Sequence, residues 1–387
     1  MSKDASKDAS TKDASTKDMT KNIYDVIIVG GGIAGIYCAL QNKSKKVLLL
    51  ESSHYWGGRI KTHYDTHYEP QYEIGAGRFH KNHKILLGLI KRFGLTPVPL
   101  DERMDYLDPE KGLIPHVEIY LRKIVDRMKL EDSMKLETFY AYCVRLLGKE
   151  EADHFANALG FHEIYYKNAY DLLKALQTDF IQGGYFVLKE GLSELCHRMV
   201  ADCPGDCVLN HHVKSIERSG KYLKVDGIKT KKVVVTIPPC LFQAFPILDP
   251  YKSITQMITQ GPLLRIYAKY PTFPITHTTT TELVSRHIIP IRDGIVMIAY
   301  VEDKDIHPFM EKGKLKTENE IKRLIHKDLD LPEPEWFKPY LWAIGTHAWL
   351  PGIRGDLPSV EGIHVCGEAF SSRQSWIEGA LESCDSI

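Results

Sequence analysis

Apolar residues first run together at Tyr24-Asp25-Val26-Ile27-Ile28-Val29, and a continuous run of this length predicts a strand buried on both faces. Gly30-Gly31-Gly32-Ile33-Ala34-Gly35 then turns the chain into a helix through Leu40, and residues 46–50 predict a second strand ending at Glu51. From Asn82 to about Leu176 the period becomes mainly helical. Ile85, Leu86, Leu89, Ile90 and Phe93 make one stripe stopped by Gly94, and residues 117–128 and 139–147 predict further helices. A mixed block follows, with a strand at 185–187, a helix at 193–200 and a strand at 232–237 halted by Pro238-Pro239. Alternation over 263–270 and 295–301 predicts sheet strands, and a strand at 362–366 leads into a last helix over 376–383.

Composition narrows the picture. Hydrophobic residues make up 43% of the 387 and charged ones 26%, the balance of a soluble globular protein. Lys plus Arg equals Asp plus Glu at 50 each, which argues against a broad nucleic-acid or anionic-membrane surface. Residues 2–18 repeat KDAS and STKD with no apolar side chain larger than alanine, so residues 1–21 are expected to form a disordered tail. The N-terminus is polar where a signal peptide needs an apolar core, and the most apolar stretch, 26–40, is broken by three glycines. No membrane span is expected. Of Cys38, Cys143, Cys196, Cys203, Cys207, Cys240, Cys366 and Cys384, only Cys203 and Cys207 lie close together, and no matching half-site accompanies them. Free thiols in a reducing, cytoplasmic setting are expected, with no metal centre.

The chemistry starts at Gly30-x-Gly32-x-x-Gly35, which sits between a strand and a helix as a dinucleotide fingerprint must. The glycines allow a tight turn and close approach to a pyrophosphate, and the helix N-terminus offers its unpaired N–H groups. Glu51, at the end of the next strand, is placed to accept hydrogen bonds from adenosine ribose. Ser-Ser-His-Tyr-Trp and then Gly57-Gly58-Arg59 follow it. With this continuation the sequence resembles the flavin-containing amine oxidase superfamily. The resemblance recurs at Tyr185 to Leu192, at Val213, at Val233-Val234-Val235-Thr236-Ile237-Pro238-Pro239, at Ile363-His364-Val365-Cys366-Gly367-Glu368-Ala369 and at Trp376-Ile377-Glu378-Gly379-Ala380.

What the resemblance implies is an α/β fold: a Rossmann-type FAD-binding domain (22–81 with 185–240 and 353–387) interleaved with a mixed sheet-plus-helices substrate domain (82–184 with 241–352). FAD would lie against Gly30, Gly32, Gly35, Glu51, Gly58, Arg59, Gly77, Arg78, Val213, Gly367, Glu368, Trp376 and Ile377. Arg59 is expected near the pyrophosphate, with an ordinary surface cation as the competing reading. The implied reaction is hydride transfer from an amine or L-amino acid to flavin, then hydrolysis of the imine, with O2 reduced to H2O2. Trp376 is expected to wall the flavin face, and either His347 or Trp349 to supply a second wall. Thr346 stands where covalent relatives carry a cysteine, so non-covalent FAD is expected. Arg265 stands where many relatives carry a lysine; it keeps the cation but cannot act as a base. Glu73-Ile74-Gly75-Ala76-Gly77-Arg78-Phe79-His80 resembles the L-amino-acid oxidases, in which an arginine here grips the substrate carboxylate. Contact with FAD or with a neighbouring acid is the other reading of Arg78. The remaining alternatives are a flavin-binding pseudoenzyme and a desaturase-like flavoprotein on the same fold.

Overall fold

The computed structural model describes residues 19–43, 45–180 and 183–385. The repeats at 2–18 lie outside the described residues. Met19, inside the segment expected to be a tail, is 2% exposed, and its carbonyl accepts from the Asn22 amide. By internal contacts the chain forms two compact units, one of Met1–Val98, Phe186–Gln256 and Gly355–Ile387, the other of Pro99–Tyr185 and Met257–Arg354. Both mix α and β structure, and no helix among the described residues is long and apolar enough to cross a membrane.

In the first unit, strand β1 (Ile23–Val29) runs parallel to β2 (Val47–Leu50) on one side and to Ile228–Val235 on the other. Asp206–Val208 extends the sheet beyond β2, and Ile363–Val365 pairs with Ile228–Val235, both in parallel register. A parallel sheet covered on both faces demands continuous apolar strands. Accordingly Val26, Ile27, Ile28 and Val29 are at most 4% exposed and Val47 to Leu50 at most 1%. Helix α1 (Ile33–Gln41) supplies the crossover between β1 and β2 and packs among Leu195, Cys196, Met199 and Leu381. The strand expected over 232–237 is displaced: it begins at Ile228 and ends at Val235. Its first half alternates buried and exposed because an antiparallel hairpin, Ile216–Ser219 with Tyr222–Val225, pairs it there.

The second unit holds a sheet ordered Trp336–Trp349, Ile258–Lys269, Ile295–Glu302, His287–Arg292, Thr278–Thr281, Met104–Asp108 and Gly112–Ile114. Its pairings are antiparallel except Thr278–Thr281 with Met104–Asp108. Helices Val117–Val125, Phe139–Leu147, Lys149–Leu159 and Ala169–Ala175 close on Phe139, Phe155, Leu159 and Leu173, all fully buried. The first of these stops short of the expected 117–128. Arg127 and Met128 donate to Ile124 and Val125, three residues back, so the last turn tightens out of α geometry.

Candidate functional site

The nucleotide end is built within the first unit. A Cβ on Gly35 would stand 1.9 Å from the Gly30 carbonyl oxygen, so only glycine lets α1 close on the end of β1. Gly32, the N-cap of α1, differs: a Cβ there would meet nothing within 4 Å. No side chain caps α1 and no acid lies in its first turn, so its first amides face that open side. Glu51 is 9% exposed, and its carboxylate accepts from the Gly31 amide at 2.6 Å and the Ser53 amide at 2.7 Å. Its carbonyl accepts from the His211 amide at 2.8 Å, which draws the segment carrying Val213, 7% exposed, alongside it.

The Gly57-Gly58-Arg59 loop lies on the glycine turn, since the Gly57 amide donates to the Gly31 carbonyl at 2.9 Å and a Cβ on Gly58 would stand 3.2 Å from Gly32 Cα. Arg59 Nη2 meets Glu368 Oε1 at 2.6 Å, and Glu368 Oε2 accepts from the Ser375 amide at 2.8 Å. The arginine is therefore not a loose surface cation; it fastens the loop to the C-terminal signature. The next motif is threaded beside it. The Ala76 amide donates to the Arg59 carbonyl and the Ile74 amide to Lys61, while Thr62–Tyr64 pairs antiparallel with Pro70–Glu73. Gly77 and Arg78 follow on a half-buried loop before Phe79, which is fully buried and stacks on Phe186.

Gly367 resembles Gly32 in facing open space where a Cβ would be. Trp376 is the half-buried N-cap of the terminal helix, Ile377–Glu382, and Ile377 is 5% exposed. The Trp376 ring meets the buried His83 ring edge-on, with centroids 5.0 Å apart. His83 was not a sequence candidate, although Phe79-His80-Lys81-Asn82-His83 follows directly on Arg78. Glu378, 2% exposed, accepts from the Ile85 amide at 2.8 Å and the Leu86 amide at 2.9 Å, and so caps helix α2 (Lys84–Arg92) from across the unit. Glu378→Ala leaves those donors unmet and should cost about 2 kcal/mol, read as a lower urea midpoint at unchanged m-value.

Arg265, His347 and Trp349 all belong to the second unit. His347 pairs with Gln260 and Trp349 with Ile258, whereas Arg265 lies further along that strand, opposite Tyr340 and Tyr300. Gln260 and Arg265 are five residue steps apart on a strand whose register shifts between Gly261 and Leu263, so their backbones lie up to roughly 17 Å apart at the usual rise. The Arg265 guanidinium lies over the Tyr300 ring at 5.2 Å. Trp349 is 3% exposed, covered by the Arg354 guanidinium at 4.6 Å, and its carbonyl accepts from Asn168. Its ring thus packs against Arg354 within its own unit, and His347, two residues earlier on the same strand, is 1% exposed.

Beside Thr346 the sequence reading missed a polar cluster, because its members come from separate elements. A Cβ on Gly261 would meet Thr346 Oγ1, Asp303 Cβ and the Tyr166 hydroxyl between 3.5 and 3.7 Å away. Lys167, 4% exposed, pairs with Glu163 at 3.0 Å. Burial, with Glu163 beside it, pushes the Glu302 carboxyl up from its ordinary 4.5 to about 8. The folded state thus holds this proton more tightly than the unfolded one, and its contribution to stability falls as pH rises from 4.5 to 8. Glu302→Gln should remove that slope, on the order of a few kcal/mol at its full extent, in denaturation curves recorded across this window.

Residues 33–385 match the family described as flavin containing amine oxidoreductase. (S)-6-Hydroxynicotine oxidase of Paenarthrobacter nicotinovorans is 27% identical over 266 residues, 56% of this chain and 60% of that protein. L-Amino-acid oxidase of Echis ocellatus is 35% identical over 78 residues, covering 20% of this chain and 16% of the relative. The chain thus spans less than two thirds of these curated relatives. Among solved structures, putrescine oxidase bound to putrescine superposes with a TM-score of 0.76 at 16% identity, over 94% of this chain and 98% of that one. Cyclohexylamine oxidase from Brevibacterium oxydans gives 0.74 at 16% identity, over 94% and 97%. The match over residues 33–385, which takes in the Gly57–Arg59 loop and the Gly367–Ile377 signature of the first unit, makes this chain a member of the flavin containing amine oxidoreductase family.

Proposed function

We propose that the chain is an FAD-dependent oxidase of an amine or L-amino acid, with the FAD held non-covalently. The observation that carries this is the convergence of three distant motifs on one open cradle, tied by the Arg59–Glu368 ion pair. The cradle fits a dinucleotide. Both Gly32 and Gly367 leave space where a side chain would stand, and α1 presents uncapped amides to a phosphate charge. Glu51, fixed by two amides, still has lone pairs for ribose hydroxyls. When bound, FAD supplies the hydride acceptor, and O2 is the oxidant that ends the cycle as H2O2.

The rest falls to the protein. Arg59 and Glu368 hold the loop that covers the pyrophosphate. Trp376, braced edge-on by His83, shapes an apolar wall that excludes water and favours a neutral amine. Arg78, on its half-buried loop, would grip a substrate carboxylate through two parallel hydrogen bonds, which favours an α-amino acid over a simple amine.

The test is an anaerobic visible spectrum of the flavin-loaded protein, recorded with L-amino acids, polyamines and aromatic amines in turn. Bleaching by L-amino acids is expected, and Arg78→Ala should raise the concentration needed by about a hundredfold, ~3 kcal/mol. Bleaching by simple amines alone, insensitive to Arg78, moves the assignment to an amine oxidase. A flavoprotein that none of them reduces returns it to the pseudoenzyme or desaturase-like readings.

A further inference from the structure

Cys203 and Cys207 are the one close-spaced cysteine pair in the sequence, and the proposed oxidation uses neither. Cys203 lies two residues past the helix Leu192–Ala201, and its amide donates to the Val200 carbonyl at 3.1 Å. Cys207 is the middle residue of Asp206–Val208, the strand at the edge of the parallel sheet, in register with Leu49. The turn Pro204-Gly205-Asp206 joins them and packs backbone against backbone, since a Cβ on Gly205 would stand 2.2 Å from the Val47 carbonyl oxygen. Both cysteines are half-buried on the rim of the apolar cluster around α1, and their thiols lie within hydrogen-bonding reach of each other. From this placement we propose that Cys203 and Cys207 form a peroxide-reactive dithiol that closes to a reversible disulfide. The inference rests on the proposed oxidase reaction only for the source of the peroxide.

Exposure is the first argument. Peroxide needs a thiol that solvent reaches, with a second thiol beside it to resolve the sulfenic acid. Cys38, Cys143, Cys196, Cys366 and Cys384 are at most 6% exposed, and burial pushes the Cys143 and Cys196 thiols up to about 12. Of the half-buried cysteines, Cys203, Cys207 and Cys240, only the first two share a turn. Asymmetry is the second argument. The hydrogen bond from Cys203 holds the Cys207 thiol below its ordinary range, and the same bond, with burial, holds Cys203 well above it. Cys207 is therefore the attacking thiolate and Cys203 the resolving thiol. In the first step the Cys207 sulfur attacks one peroxide oxygen, the O–O bond breaks, and the departing hydroxide takes a proton to leave as water. In the second the Cys203 sulfur attacks the sulfenic sulfur, the S–O bond breaks, and a second water leaves as the S–S bond forms. Two thiols lose two electrons and two protons, and H2O2 becomes two waters.

The test adds H2O2 directly to the flavin-loaded protein, thiols reduced and reductant removed, with no amine present. The chain should become two hydrogens lighter, two of its eight thiols should be lost to titration after denaturation, and peptide mapping should place the bond between Cys203 and Cys207. Dithiothreitol should restore both thiols. Cys203→Ser should leave a sulfenic acid on Cys207 that dimedone traps, and Cys207→Ser should slow the consumption of peroxide by at least about tenfold. Retained flavin absorbance certifies the fold of each variant, and the mapping of the unmodified protein needs no variant at all. The proposal is overturned if both thiols survive peroxide, if the disulfide maps to Cys38, Cys366 or Cys384 instead, or if dimedone marks Cys203 and not Cys207. Because the peroxide is supplied, failure here leaves the oxidase reading standing, and a chain that no amine reduces should still form the disulfide.

Discussion

Gly32→Val should give a folded protein without flavin, and Gly35→Val a protein that fails to complete its first unit. The two glycines stand three residues apart in one motif, and the structure gives them opposite reasons for being glycine. Gly32 has φ −69° and ψ 172°, a conformation open to any residue, and a Cβ there meets no protein atom within 4 Å. An isopropyl group would fill only the space in front of the α1 amides. If that space belongs to the pyrophosphate, flavin affinity should fall by at least about 3 kcal/mol, a hundredfold or more in Kd, with the thermal unfolding of the flavin-free form little changed. At Gly35 the Cβ would sit 1.9 Å from a backbone oxygen that cannot move without parting α1 from β1. Flavin content by visible spectrum and the far-UV melt of each variant separate the cases. A Gly32→Val protein that stays fully loaded would refute the cradle and remove the observation on which the proposed function stands.

That contrast also marks what was legible in the sequence. Parallel strands show themselves because burial on both faces forces an unbroken apolar run, as at Val26 to Val29. The fingerprint shows itself because glycines recur at fixed spacing, Gly35 forced by a backbone contact and Gly32 keeping the space before the α1 amides open. The Trp336–Trp349 strand was not legible. It carries Lys338, Pro339 and Gly345, most of its side chains are only half-buried, and its existence depends on register with Ile258–Lys269. Met104–Asp108, with two aspartates in five residues, and the three-residue Gly112–Ile114 were lost in a region whose dominant period is helical.

The site shows the same division. Residue types were readable wherever a motif fixed them, but partners were not. Arg59 and Glu368 come from opposite ends of the chain, and nothing local announces that one answers the other. Glu378 belongs to the C-terminal signature, yet its carboxylate is engaged in capping a helix almost three hundred residues earlier. The clearest case is Trp349, an aromatic before Pro-Gly that reads as a wall of the substrate site. In the structure the Arg354 guanidinium, paired with Asp171, lies over its ring, and its carbonyl accepts from Asn168.

Asp171→Ala should accordingly destabilise the second unit more than it disturbs substrate binding. Asp171 is 2% exposed and accepts from both terminal nitrogens of Arg354, at 2.9 and 3.1 Å. Its other partner is Asn168, whose Oδ1 caps helix Ala169–Ala175 through the Asp171 amide and whose Nδ2 donates to the Trp349 carbonyl. Without the carboxylate, a guanidinium only 25% exposed is left over the indole with no counter-charge. Breaking a fully buried pair in this way costs 3–5 kcal/mol, and with partial solvent access for the arginine about 3 kcal/mol is expected. Adding Arg354→Met removes the stranded cation and should recover at least about 1 kcal/mol of that loss. Urea denaturation followed by tryptophan fluorescence reads the stability, and flavin reduction by substrate reads the site. If Asp171→Ala leaves the urea midpoint in place but raises the substrate concentration needed for reduction, then Trp349 faces the substrate and its assignment to packing is wrong.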